Sequence, residues 1–384
     1  MEKFLAEQAS NGMKVALIHD HLIQEGGAER VLQVFLEMWP EAPTYTLLYD
    51  REKLGQIFKD KDIRTSFLQN WPAALKHYQW FLPLMPTATE SYDLMDYDVV
   101  LSSCSAMAKG IITRSNTLHF CYCHTPTRYL WSDTHRYVEE LKYNRLIKKI
   151  IPLILNQLRI WDQLSAQRVD YFIANSKNVA DRIKKYYRRD SLIIHPPVDT
   201  NNFQISPAVG KYFLTGGRLV AYKRFDIAIK AFNRLGIPLK IFGTGPEEKN
   251  LKNLAKQNIE FLGKISQTEL AKLYSEAIAF VHPQIEDFGI TAVESMACGR
   301  PVIALAAGGA CETVVEGQTG KFFDEQTWEA LADAIVRFKP EDYNPIKIKD
   351  YAEQFSTERF KKEIRELIES EWQKLKNSQI KCGF

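Results

Sequence analysis

Two carboxylates eight positions apart, Glu286 and Glu294, bracket the stretch Glu286-Asp287-Phe288-Gly289-Ile290-Thr291-Ala292-Val293-Glu294. An apolar run from Ala277 to Val281 precedes them and reads as a buried strand. Ile290, Val293 and Ala297 follow at helical spacing, so the pair straddles a strand, a loop and the start of a helix. Free backbone N–H groups and the positive end of the helix dipole favour an anion at such a start. Carboxylates accept hydrogen bonds from hydroxyls, so two of them beside a phosphate suit a sugar or a ribose. The same pair also fits an ordinary surface loop and a helix face, and at this point both readings stand.

A second pattern supplies the opposite charge. Tyr212 to Thr215 reads as a strand, and Gly216-Gly217-Arg218-Leu219-Val220-Ala221-Tyr222-Lys223 follows it, with four residues between the two cations. Arginine offers a planar fork and lysine a compact charge, a combination that neutralises a diphosphate; surface salt bridging is the alternative. A third candidate is His124, in Cys121-Tyr122-Cys123-His124-Thr125-Pro126-Thr127-Arg128-Tyr129-Leu130-Trp131. Pro126 restricts Thr125 to extended backbone, so the imidazole sits on a stiff loop. There it either hydrogen-bonds a sugar hydroxyl or phosphate, or has a structural role.

These residues need elements to position them. Strands at Met13–Ile18, Thr44–Leu48, Asp98–Leu101, Leu118–Tyr122, Tyr171–Ala174 and Leu192–Ile194 alternate with helical patterns. Alternation of this kind predicts a parallel α/β sheet with ligands at the carboxyl ends of its strands. Asp20, Ser102, Ser103 and His124 all fall just past predicted strands. Gly26 and Gly27, in Glu25-Gly26-Gly27-Ala28-Glu29, open a helix after the first strand, where glycine allows close approach to a ligand or simply a tight turn. Neither a GxGxxG nor a Walker sequence is present.

The proline-rich stretch from His195 to Pro207 predicts a domain boundary, after which the alternation restarts. Strands at Leu239–Phe242 and Ile259–Leu262 end at Gly243 and Gly263, the latter followed by Lys264 and Ile265. Backbone at such glycine turns can face a flat base. From Ser356 on, Phe360, Ile364, Leu367, Ile368, Trp372 and Leu375 form the apolar stripe of a capped helix. The expected division is 1–200, 201–355 and a terminal helix over 356–384.

At 384 residues the chain exceeds one ordinary core, and 45% hydrophobic with 25% charged residues marks a soluble globular protein. A net charge of +3 argues against a dedicated nucleic-acid binder. The six cysteines lack metal spacing and read as reduced cytoplasmic thiols. The opening MEKFLAEQASNG has no signal-peptide core, and no apolar run is long enough to span a bilayer. Membrane contact is therefore expected to be peripheral, on the inner face of the plasma membrane. Two segments suit it: the aromatic-rich 71–86, and 142–160, which has five basic residues, no acids and an apolar face. A core-packed helix with a solvated basic side explains 142–160 equally well.

Taken together, Gly217-Arg218 with Lys223, the Glu286/Glu294 pair with Phe288-Gly289, and GRPVIALAAGGACETVVEGQTGKFF resemble the retaining family-4 glycosyltransferases of the GT-B fold. Gly26-Gly27-Ala28-Glu29 also fits, and HTPTRYLW resembles bacterial mannosyl- and hexosyltransferases of surface polysaccharides. The resemblance runs from Met13 to about Phe338. It implies two Rossmann-like domains facing each other across a cleft, with a C-terminal helix returning toward the first. It also implies transfer of a hexose, mannose or glucose, from a nucleoside-diphosphate sugar such as GDP-mannose or UDP-glucose. The acceptor implied is a saccharide or lipid-linked saccharide.

By position, Arg218 and Lys223 would hold the diphosphate, Glu294 the ribose, and Glu286 the hexose. Asp287, Phe288, Gly289 and Ile290 would offer backbone N–H groups, Gly27 would approach the phosphate, and His124 would reach the sugar. Gly26, Gly217, Gly243, Lys264 and Ile265 complete the implied donor site. No DxD sequence stands out, so neither a metal nor another cofactor is expected. A nucleotide-sugar-binding protein without transferase activity is the alternative.

Overall fold

The computed structural model describes residues 12–140 and 144–382, so most of MEKFLAEQASNG, and Lys142 and Tyr143 of the basic segment, lie outside the described residues. Two parallel sheets organise the chain. The first contains β1 Val15–His19, β2 Thr44–Thr46, β3 Ile63–Thr65, β4 Val99–Cys104, β5 Leu118–Cys123, β6 Tyr171–Ala174 and β7 Leu192–Ile193. Its order is β3-β2-β1-β4-β5-β6-β7, with every pair parallel. The second contains β8 Phe213–Gly216, β9 Leu239–Phe242, β10 Ile259–Gly263, β11 Phe280–His282, β12 Val302–Leu305 and β13 Gly320–Phe323, in the order β10-β9-β8-β11-β12-β13.

Both orders reverse direction once, between β1 and β4 and between β8 and β11. At such a switch the loops leaving two neighbouring strands diverge and open a crevice at their carboxyl ends. The first crevice lies beyond His19 and Cys104, the second beyond Gly216 and His282. The sequence places its cations and carboxylates beside the second.

The central strands are buried along their whole length, VALIH and VVLSSC among them, as in a sheet covered on both faces. Ser102 and Ser103 were expected beyond the end of a strand, but both lie inside β4. Their hydroxyls find partners in the sheet: Ser102 Oγ is 2.9 Å from His119 Nε2. A buried hydroxyl with a cross-strand partner does not end a strand. The edge strands β3 and β13 were not foreseen. Ile63-Arg64-Thr65 is short and largely exposed, and carries no apolar run to signal it.

The chain forms two compact units, one running to Ile194 and resuming at Lys361, the other His195–Phe360. Within the second unit Val198 pairs with the segment near its end: its N–H donates to Phe355 C=O at 2.9 Å, and its C=O accepts from Thr357 N–H at 3.1 Å. Four helices matter below: α1 Gly27–Met38, α2 Arg145–Ser165, α3 Ile290–Ala297 and α4 Thr357–Cys382. Along α4, Phe360, Ile364, Ile368 and Trp372 are buried as their spacing predicts. From Lys361 on, α4 belongs to the first unit, where Lys361 pairs with Glu37 at 2.8 Å and Glu371 accepts from the Tyr171 hydroxyl at 2.7 Å.

Helix α2 is apolar on two faces. Leu155 and Leu158 are buried in the first unit, with Ile151, Ile154 and Trp161 packed against them. Ile150, Leu153, Ile160 and Leu164 are 50–68% exposed and follow one another at helical spacing on the outside. No helix among the described residues is long and apolar enough to cross a membrane.

Candidate active site

Beyond β8 and β11, Lys223 and Glu286 meet. Lys223 Nζ lies 2.7 Å from Glu286 Oε1, and both side chains are largely buried. Burial alone would push the Lys223 pKa down, but the Glu286 carboxylate outweighs it and the pKa is raised, so the ammonium persists. Arg218 is close enough to oppose that charge slightly, which brings the two predicted cations to one place. An ammonium has three donors, so a bond to Glu286 leaves capacity for a further acceptor.

The glycines between these strands serve the protein's own packing. A Cβ on Gly243, whose φ is +101°, would stand 1.9 Å from the Gly217 carbonyl oxygen. On Gly217 it would meet Lys223 Nζ at 3.1 Å. The β8 and β9 turns therefore press directly on one another and set the position of Lys223. Gly243 thus has a packing reason of its own to be glycine. Lys264 is exposed just past β10, and Ile265 packs against the core of the second unit.

Glu286 is held by the following glycine loop. Gly309 N–H donates to the Glu286 carbonyl at 2.9 Å, and a side chain on Gly308 or Gly309 would strike residues 286–288. Asp287 is half-buried, whereas Phe288 is buried against His195 and Phe355, anchoring the loop by its ring. Gly289, with φ +94°, starts α3, and Ile290 is its first residue. Glu294, one turn on, is only 2% exposed, and one of its oxygens accepts the Tyr274 hydroxyl at 3.0 Å.

Sequence reasoning missed two residues here. His282 and Gln284 are fully buried, and neither the ring nitrogens nor the amide atoms have a hydrogen-bond partner. Burial holds the His282 pKa at about 4, so the ring is neutral. Its Nε2 points toward Gly289, 3.3 Å from where a Cβ would stand. Buried polar groups without partners are rare and call for an explanation, and these lie beside Glu286 and Lys223. The only sequence signal was polar residues ending an apolar run, in Phe280-Val281-His282-Pro283-Gln284.

In the first unit, His124 follows β5, and its Nε2 lies 2.8 Å from Ser103 Oγ. Ser103 Oγ also lies 3.1 Å from His19 Nδ1, and His19 Nε2 lies 3.6 Å from Glu29 Oε1. The contact between His19 and Ser103 follows from register, since the two residues are partners across β1 and β4. Glu29 stands on the first turn of α1, where Gly26 is the cap; a Cβ there would come within 2.9 Å of Glu29 Oε2. Gly27, the first helical residue, is exposed. Burial lowers the His124 pKa to about 4.

Asp20 stands just past β1, as expected, and its carboxylate is engaged by the protein's own backbone. It accepts backbone N–H bonds from Ser105, Ala106, Met107 and Ala108 at 2.6–2.9 Å. Burial works to raise its pKa, yet His21, His19 and these bonds together lower it. The loop bearing His124 has its own anchor, which the sequence did not suggest. Thr127 and Trp131 both donate to Asp162 on α2, at 2.9 and 2.8 Å, and Asp162 is paired with the buried Lys109. Among the described residues no cluster of His, Cys, Asp and Glu could hold a metal ion.

Two parallel sheets, each with one reversal of strand order and with charged side chains at the carboxyl ends, define the GT-B class. Residues 25–202 match Glycosyltransferase Family 4 and residues 199–355 match Glycosyl transferases group 1; the chain belongs to these glycosyltransferases. An uncharacterized glycosyltransferase of Methanocaldococcus jannaschii is 31% identical over 44% of this chain and 49% of its own length. The Dictyostelium discoideum alpha-1,3/1,6-mannosyltransferase ALG2 is 25% identical over 67% of this chain and 70% of its own. The crystal structure of Anabaena HepE in complex with UDP-glucose superposes with a TM-score of 0.69 at 20% identity, covering 93% of this chain and 99% of that one. The chain spans about half the length of the first curated relatives it matches.

Proposed function

We propose that the protein is a retaining hexosyltransferase that moves mannose or glucose from a nucleoside-diphosphate sugar to a saccharide acceptor, carried on a lipid, in surface-polysaccharide synthesis. The observation that carries this reading is the Lys223–Glu286 pair at 2.7 Å beside Arg218 and the start of α3. With one Lys223 donor on Glu286, the remaining donors and the Arg218 fork hold the diphosphate. Glu286 then accepts from a hexose hydroxyl, and His282 and Gln284, buried without hydrogen-bond partners, are proposed to bond donor groups. Glu294 is the residue proposed for the ribose, and Gly27 and His124 are proposed for the phosphate and the sugar. HepE, which binds UDP-glucose, and ALG2, named as a mannosyltransferase, support the two donors to be tried first.

In the proposed reaction the bond between the anomeric carbon and the β-phosphate oxygen breaks as the acceptor oxygen attacks from the same face. The acceptor's proton passes to the departing phosphate oxygen, giving glycoside and nucleoside diphosphate. Arg218 and Lys223 stabilise the negative charge that develops on that oxygen, and such preorganised charge is the largest contribution a site of this kind makes. The reaction is written without a metal ion. The exposed apolar stripe of α2 beside Lys149, with Trp71 and Trp80 exposed in 71–86, supports a peripheral seat on an anionic membrane.

The test is turnover. Purified protein is incubated with GDP-mannose or UDP-glucose and a lipid-linked saccharide, and free nucleoside diphosphate is measured. Release that depends on acceptor is expected. Binding of donors by thermal shift with no release from either would leave a nucleotide-sugar-binding protein and remove the transferase.

A further inference from the structure

The contacts running from Glu29 through His19 and Ser103 to His124 have a direction, and the direction decides what His124 offers a ligand. Ser103 Oγ carries one proton and sits between two imidazole nitrogens, His124 Nε2 at 2.8 Å and His19 Nδ1 at 3.1 Å. It therefore donates to one ring and accepts from the other. Two arrangements satisfy it. In the first, His124 Nε2–H donates to Ser103, Ser103 donates to His19 Nδ1, and His19 carries its proton on Nε2. In the second, every bond reverses, and a neutral His19 presents the bare lone pair of Nε2.

Glu29 separates the two arrangements. Its carboxylate faces His19 Nε2 at 3.6 Å, and both groups are nearly excluded from water, at 3% and 8% exposure. A carboxylate attracts an N–H and repels a lone pair, and burial strengthens both effects. A protonated His19 could also reverse the bonds, but a charged pair would close to about 2.7–2.9 Å, and this one stands further apart. The strand register that faces His19 with Ser103, and the helix start that aims Glu29 at His19, fix the geometry.

We propose that Glu29 acts through His19 and Ser103 as a set of positioning residues that hold His124 as its Nε2–H tautomer, leaving Nδ1 to accept a hydrogen bond from a substrate hydroxyl. Nδ1 has no hydrogen-bond partner among the described residues. The backbone on either side of the ring is fixed as well: His124 N–H donates to Cys104 C=O at 2.8 Å, and its own C=O accepts from Asn175 at 2.9 Å. Burial keeps the ring neutral, as an acceptor must be. A locked tautomer discriminates: Nδ1 welcomes a hydroxyl hydrogen and rejects a carbonyl or phosphate oxygen at the same place. That the hydroxyl belongs to a sugar rests on the transferase reading above; the tautomer does not.

Long-range proton–nitrogen correlation spectra of the full chain with 15N-labelled histidine read the tautomer without substrate, and His124→Gln assigns the signals. The expected result is Nε2–H in the wild type. Ser103→Ala should give a mixture of tautomers and lower kcat/KM for the sugar nucleotide about tenfold, roughly one hydrogen bond. Affinity for the bare nucleoside diphosphate should not move, because it lacks the hydroxyl. Glu29→Gln, whose amide can donate or accept, should also mix the tautomers, and it serves if Ser103→Ala fails to fold. Nδ1–H in the wild type, or an unchanged single tautomer in either variant, would overturn the proposal. Absence of turnover with the tautomer as expected would count against the transferase reading alone.

Discussion

In the proposed reaction Lys223 and Arg218 stabilise the charge gathering on the diphosphate leaving group, so removing either should raise the barrier to its departure. Lys223→Ala and Arg218→Ala are each expected to lower kcat at least ~100-fold, comparable to losing one oxyanion-type donor. Initial rates at saturating donor are the measurement, and wild-type rates in either variant would remove the assignment of the pair to the diphosphate. These cations and Glu286 were legible in the sequence because they lie on the segments that follow β8 and β11, and neighbouring parallel strands bring their carboxyl ends together without further information. Glu294 was legible as a position but not in its setting, since the Tyr274 partner lies on another helix. Asp20 follows β1 as the sequence indicates, but its partners were not legible, because its four donors come from residues 105–108, far along the chain. His282 and Gln284 were invisible because lacking a partner is a fact about every neighbour at once.

The turns and helices that carry these residues are held by contacts that local sequence does not announce. Asp162 is the clearest case, for one carboxylate on α2 gathers Lys109, Thr127 and Trp131. Burial works against the Lys109 ammonium, and Asp162 outweighs it so that the pKa is raised well above its ordinary value. Breaking such a pair leaves an uncompensated buried charge, so Asp162→Ala is expected to cost about 3–5 kcal/mol of stability. Urea denaturation reads this directly. The double variant Lys109→Met with Asp162→Leu should recover part of the loss, because it removes both charges. A loss below about 1 kcal/mol in Asp162→Ala would mean that Lys109 finds another partner. The helix itself was legible from its periodicity, but the side it turns inward was not: a helix apolar on two faces gives a pattern that either face satisfies.

At the scale of the whole molecule, two parallel sheets follow from the alternation of strands and helices. Acid sensitivity also belongs here. Burial holds His119 at about 3 and His124 and His282 at about 4, below the ordinary 6.5. Between pH 6.5 and about 4 the unfolded chain binds protons that the folded chain refuses, so stability must fall as pH falls through that window. Calorimetry should show Tm declining from about pH 7 to pH 5, with His119→Asn shallowing the slope; a flat Tm would mean the rings protonate in place. The exposed side of α2 concerns the molecule's surroundings. Ile150, Leu153, Ile160 and Leu164 lie outward with Lys149 between the first two and the helix's start, so apolar burial and charge can act on one bilayer together. Each basic residue near an anionic surface contributes about 1 kcal/mol, so reversing Lys148 and Lys149 to Glu should weaken binding at least ~10-fold. The measurement is co-sedimentation with phosphatidylglycerol vesicles, with phosphatidylcholine vesicles as the uncharged control. Leu153→Ser, which leaves the charge intact, should weaken binding to the anionic vesicles as well, because it removes apolar surface that the bilayer would cover. Equal sedimentation of wild type and both variants would detach α2 from any membrane role and leave its outer stripe to a protein partner.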